Sequence, residues 1–107
     1  MNEIEKKTIF IVDDNDTDLK TAQEALSGEY RVMLLTSTVQ LFAGLKRFTP
    51  DLIFLNTEMR GTDGLEVIKQ LKANCYYSHI PIILLTDMSD IKKHIPCNLS
   101  ENLPCGS

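Results

Sequence analysis

Apolar residues gather in four short runs along this chain, at 8–12, 30–35, 52–55 and 82–85, each bounded by polar or turn-forming residues. The runs are nearly continuous in apolar side chains rather than alternating, as strands buried on both faces are, and each predicts a strand. Between them the apolar spacing changes to three and four, the period of an amphipathic helix. Leu19, Ala22 and Leu26 share a face of a helix over 17–26, with Asp16 as its N-cap and Gly28 as its stop. Leu41, Leu45 and Phe48 share a face of a second helix over 39–48, which Pro50 ends. A third begins after Asp63, with Leu65, Ile68 and Leu71 at helical spacing. Strands alternating with helices in this way predict a parallel sheet built from βαβ units.

From Ser89 onward the pattern fails. The stretch SDIKKHIPCNLSENLPCGS has two prolines and no sustained period, and a short helix near Asp90 to His94 is the most it predicts. The organisation expected is one α/β domain over 1–88 and an irregular C-terminal tail over 89–107. A length of 107 residues suits one core and is too short for two. A composition of 43% hydrophobic and 24% charged residues is that of an ordinary globular domain. The net charge of -4, with no basic stripe, argues against nucleic acid or an anionic membrane as a direct partner. The start, MNEIEKK, is charged, and the apolar run after it is too short for a signal peptide or a membrane span, so a cytoplasmic protein is expected. The cysteine count of 3 is odd, which favours free thiols. His94, Cys97 and Cys105 supply too few ligands, with no paired CxxC, to make a convincing metal site.

Chirality then places the polar residues. With right-handed crossovers, a first connection running one way and the next running the other gives strand order 2-1-3-4. The order reverses between the first and third strands, and ligands of open α/β sheets bind at such a reversal, beyond the carboxyl ends of the strands. Asp13 and Asp14 follow the first strand, Asn56 closes the third and Thr86 ends the fourth. Two adjacent aspartates can hold Mg²⁺, which keeps several waters and takes one or two carboxylates together with phosphate oxygens. The metal's charge would offset that of a phosphoryl group oriented by a hydroxyl and backbone N–H groups. Taken singly, each residue has a plainer reading. The acidic run suits a helix N-terminus, Thr86 a strand end, and Asn56 a turn. Only their joint register points to chemistry.

Three stretches, IFIVDDND, PDLIFLNTEMRGTDGLEVIKQLK and HIPIILLTD, together resemble the receiver domain of bacterial response regulators in two-component signalling, over residues 8–88. The resemblance implies a flavodoxin-like three-layer sandwich and an aspartyl-phosphate switch. It implies that Asp13 and Asp14 match the acidic pair that helps to hold Mg²⁺, that the backbone carbonyl of Glu58 is a further metal ligand, and that the Thr86 hydroxyl contacts the phosphoryl group. Asn56 stands at the position where an aspartate takes phosphate from a histidine kinase. Met59, Gly61, Asp63 and Gly64 match the family's loop, whereas Arg60 stands where a proline is usual and Asp87 where a small residue is usual. The fifth strand and helix of such domains are not seen, and Lys92 and Lys93 come too soon after the fourth strand to serve as the phosphate-binding lysine.

The expectation is a degenerate receiver that is no enzyme and acts as a protein-interaction module without phosphorylation. A carboxylate lost near the surface removes a Coulomb attraction of about 4 kcal/mol at close range, so Mg²⁺ is expected to bind weakly. Expected partners are a histidine kinase, an output protein, or a second copy meeting the open edge of the fourth strand. The handedness argument also leaves a sheet face uncovered on the side of the first helix, over the third and fourth strands. Alternatives are a conventional phosphorylatable receiver carrying an Asp-to-Asn change or a truncation, and an FMN protein of flavodoxin type. The carboxylates of DDNDTD would repel a flavin phosphate. A metal-dependent phosphohydrolase lacks a second catalytic constellation.

Overall fold

Four strands, β1 (Thr8–Val12), β2 (Arg31–Leu35), β3 (Leu52–Asn56) and β4 (Ile82–Leu85), pair in parallel in the order β2-β1-β3-β4, the order that the handedness argument predicts. The structure, a computed structural model, describes residues 6–96 and Leu99. Cys97 and Cys105 lie outside the described residues. Val12 is level with Leu35 on one side and Leu55 on the other, and Asn56 is level with Leu85. The carboxyl ends of all four strands therefore finish together.

Three helices, α1 (Asp16–Leu26), α2 (Thr38–Arg47) and α3 (Gly64–Lys72), follow β1, β2 and β3 in turn. Asn15, not Asp16, caps α1: its backbone is extended and its side chain accepts from the Asp18 N–H. Gly28 does not stop α1 through a left-handed turn, because Gly61 is the positive-φ glycine among the described residues. The helix instead ends at Ser27, in right-handed helical geometry, whose N–H donates to the Gln23 carbonyl. Ser37 caps α2 and Asp63 caps α3 through side-chain oxygens that accept backbone N–H groups.

Alternate strand residues feed two cores, one on each face of the sheet. Ile9, Ile11, Leu52, Phe54 and Leu85 join Leu19, Ala22 and Leu26 of α1. Phe10, Val12, Ile53 and Leu55 join Leu41 and Leu45 of α2 and Val67 and Leu71 of α3. A Cβ on Gly44 would meet the Phe10 ring at 3.4 Å, so α2 lies in van der Waals contact with β1 at this point. Two expected core residues are not there. Phe48 is 50% exposed because the chain leaves α2 in an extended conformation at that residue. Leu65 is 64% exposed, since α3 begins at Gly64 and its period turns Gly64, Val67 and Leu71 inward instead.

The sheet face expected to lie bare has a cover. Met88, Ile91 and Leu99 are buried in the same cluster as α1, with Ile95 partly buried beside them. A single 3-10 turn, Ile91–His94, carries part of this cover against α1. The edge of β4 is open among the described residues, where β4 pairs with β3 alone.

Candidate functional site

Asp13 and Asn56 are the buried polar residues among those described, 0% and 5% exposed. They are neighbours across the sheet, each one step beyond or at the end of the paired run Val12–Leu55. The Asp13 N–H continues the ladder to the Leu35 carbonyl at 3.0 Å, which fixes where the strand delivers its carboxylate. One carboxylate oxygen of Asp13, Oδ1, accepts from the Asn15 N–H at 3.0 Å. The other, Oδ2, is buried with no hydrogen-bond partner. Asn56 turns its Oδ1 onto the Glu58 N–H at 2.6 Å, an Asx turn that starts the loop toward α3.

That loop shows what Arg60 changes. The Thr62 N–H bonds to the Met59 carbonyl at 3.3 Å, and Gly61, at φ 67°, occupies the position of a β-turn that needs a left-handed residue. Residue 60 is then the second position of the turn, which proline suits, but proline has no N–H. The Arg60 N–H donates to Asp14 Oδ2 at 3.3 Å. The departure from proline thus adds a donor that ties the acidic pair to the loop after β3.

Asp18 is the residue that sequence reasoning missed. With Asn15 as the cap, Asp18 occupies the third position of α1, where a capping-box carboxylate reaches back to the cap residue's own N–H. Here Asp13 has taken that N–H, and the Asp18 carboxyl lies against Asp13 instead. Desolvation raises the Asp18 pKa above its ordinary value, and the contact with Asp13, its charge and that of Asp87 push in the same direction. The signal was present as Asn15 followed three residues later by an acid, but placing the cap at Asp16 hid it. Asp87 is pulled the other way, first by the Ser89 hydroxyl and then by the Ser89 N–H, both donating to its Oδ1.

The raised Asp18 group makes the metal-free fold more stable below the unfolded-state pKa, and that stability is lost as pH rises through the folded-state value. Asp18→Asn in metal-free buffer is accordingly expected to raise the melting temperature at pH 7 and to lose that advantage at pH 3. Equal melting temperatures for parent and variant across this range would contradict the repulsion.

The structure brings Asp13, Asp14 and Asn56 together at the strand ends. It puts Thr86 and Asp87 just past β4 with exposed side chains, and Glu58 in the exposed loop. Among the described residues, no group of three or more His, Cys, Asp or Glu side chains is arranged to hold a metal ion. The buried, unpartnered Asp13 Oδ2 nevertheless fits a cation, because a bare carboxylate oxygen without a donor is costly to bury. Cys75 is a free, exposed thiol. No described helix is long and apolar enough to cross a membrane.

A doubly wound parallel sheet with an acidic corner at its switch point is the flavodoxin-like class of α/β fold. Within that class, residues 9–99 match the family model described as the response regulator receiver domain, and the chain belongs to that family. It is 33% identical over 90 residues to a probable cyclic di-GMP phosphodiesterase of Vibrio cholerae, covering 84% of this chain and 20% of that protein. The chain thus spans about one fifth of that relative's length, and the activity in its name belongs to the longer protein. The structure resembles that of the chemotaxis response regulator CheY4 of Vibrio cholerae, with a TM-score of 0.71 and 21% identity, over 90% of this chain and 82% of that one. It also resembles the Mn²⁺-bound form of the response regulator Rcp1, with a TM-score of 0.65 and 26% identity, over 73% of this chain and 63% of that one.

Proposed function

We propose that this chain is a two-component receiver that works in the cytoplasm as a protein-interaction module without being phosphorylated. The observation that carries the reading is Asn56, which is buried at the end of β3 with its oxygen engaged by the Glu58 N–H. A carboxamide is close in shape to a carboxylate, so it keeps the fold, but it is neutral and forms no acyl phosphate. Asp13 and Asp14, with the Glu58 carbonyl, would hold Mg²⁺ weakly, because Asn56 brings no charge and Asp14 is shared with the Arg60 N–H. When bound, the ion would offset the negative charge of the corner and of a phosphoryl group. The Thr86 hydroxyl stands where it could orient such a group, and Asp87 next to it opposes one by like charge.

The partner is a histidine kinase or an output protein. A second copy meeting the open β4 edge is the other route to association, since an unpaired strand edge is a template for pairing. Autophosphorylated histidine kinases from the same genome, each carrying labelled phosphate, offer the test. One of them is expected to bind the chain equally well with and without its phosphate, and to transfer no label. Transfer of label to the chain would overturn the reading, as would the absence of any binding to the kinases, to output proteins or to itself by light scattering.

A further inference from the structure

We propose that the cleft between α2 and α3 docks a second copy of this chain, with the two α2 helices crossing antiparallel at Ala43 on a two-fold axis. This contact goes beyond the receiver reading, does not depend on the acidic corner, and is distinct from the β4 edge. The surface consists of two adjoining clefts, of about 650 and 280 Å³, which share Thr38, Phe42 and Gln70. Beside them α2 turns an apolar stripe outward: Val39 is 77% exposed, Ala43 one turn further on is exposed, and Phe42 is half-buried next to it. The solvent side of an amphipathic helix is ordinarily polar, so α2 carries more apolar surface than the burial of Leu41 and Leu45 requires. The two ends of the surface differ in charge. Lys46 and Arg47, in the last turn of α2, line one end. Asp63 and Glu66, at the start of α3, line the other. The Lys46, Arg47 and Glu66 side chains make no hydrogen bond or ion pair among the described residues, so their charges are available to a partner.

This polarity selects the occupant. The basic and acidic ends lie on the order of 10 Å apart along the helices, so a ligand of one charge would meet repulsion at one of them. A surface with opposite charges at its two ends is complementary to itself when turned end for end, which is what a two-fold axis does. The same turn sets the two α2 dipoles antiparallel and brings the small Ala43 side chains to the crossing, where helix axes approach closely. An inclined crossing of the ridges-into-grooves kind then carries Lys46 and Arg47 of each copy over the other's cleft toward Glu66. Val39 and Phe42 of each copy are covered by the other. The net charge of -4 repels the copies at long range, and a contact confined to two helices is small, so the dimer is weak and transient.

The test is sedimentation velocity of the full chain from micromolar to millimolar concentration, with amide NMR spectra to locate the contact and to check that every variant keeps its fold. The parent is expected to pass from monomer to dimer over that range, with the largest concentration-dependent amide shifts in residues 38–47 and 61–70. Ala43→Arg, at an exposed helical position, sets two like charges against each other on the axis and is expected to weaken the dimer about tenfold or more. Arg47→Glu and Glu66→Lys are each expected to weaken it about tenfold, because each homodimer then holds two like-charged pairs. An equimolar mixture of these two variants is expected to associate within about threefold of the parent, since both pairs across the interface are again opposite in charge. A monomer at every concentration would overturn the docking, as would a dimer that Ala43→Arg leaves intact, whose contact then lies elsewhere, such as the β4 edge. A mixture that associates no better than either variant alone would overturn the two-fold arrangement.

Discussion

In Mg²⁺ and acetyl phosphate, the Asn56→Asp variant is expected to gain one phosphoryl group by intact mass, and the parent is expected to gain none. The carboxylate oxygen attacks phosphorus, acetate leaves with the electron pair of the broken bond, and an acyl phosphate remains on residue 56. The protein supplies position and charge, which are the main demands of phosphoryl transfer. Position is already set: residue 56 ends β3 beside Asp13, and its side-chain oxygen is held by the Glu58 N–H. A carboxylate in that place keeps the same hydrogen bond and offers its second oxygen as the nucleophile. Charge is the weaker side, because Asp87 puts a negative group next to Thr86. Labelling of the double variant Asn56→Asp/Asp87→Ala is therefore expected to be severalfold faster than that of the single variant. Label on the parent at Asn56, or none on either variant, would sink the account.

Ile91→Ala is expected to cost about 2–5 kcal/mol of folding stability, the range for truncating a fully buried aliphatic side chain. In a domain of this size each kcal/mol shifts the melting temperature by about 4–8 °C, so a fall of at least about 8 °C is anticipated. Ile91 is 1% exposed and belongs to the cluster that includes Leu26, Phe54 and Met88. It matters beyond its own contacts, because the 3-10 turn that carries it lies against α1 over the β3–β4 side of the sheet. Removing it thins the cover that the segment after β4 adds beside α1 over that face, and light scattering is expected to show association as the chain nears its melting point. Thermal unfolding followed by circular dichroism gives the first number. A shift below about 2 °C would mean that the segment after β4 does not seal the sheet.

The strands and their order were legible because each fully buried strand leaves a continuous apolar run, and because crossover handedness leaves few ways to arrange four of them. The acidic corner was legible for a related reason: strand ends in a parallel sheet converge, so Asp13, Asp14, Asn56 and Thr86 meet once the order is known. Helix faces were read less well. Period alone made Phe48 and Leu65 core residues, but a one-residue difference in where a helix starts or stops rotates its buried face by about 100°. The same slip concealed Asp18. The cover from Met88, Ile91, Ile95 and Leu99 was missed because Pro96 and a 3-10 turn interrupt it, and no regular element announces it.

By itself the sequence determined that this chain forms a parallel α/β sandwich and that an amide stands where the strand-end acid is expected, since burial and residue identity are local facts. Only the tertiary structure decided how the corner's polar atoms are spent. Whether Asp14 meets the Arg60 N–H depends on two loops brought together from distant parts of the chain, and whether Asp13 Oδ2 is left buried without a donor depends on the packing around the strand ends. A hydrogen bond between residues 46 positions apart has no counterpart in the local pattern, because its existence depends on the meeting of two strand ends and not on either segment alone.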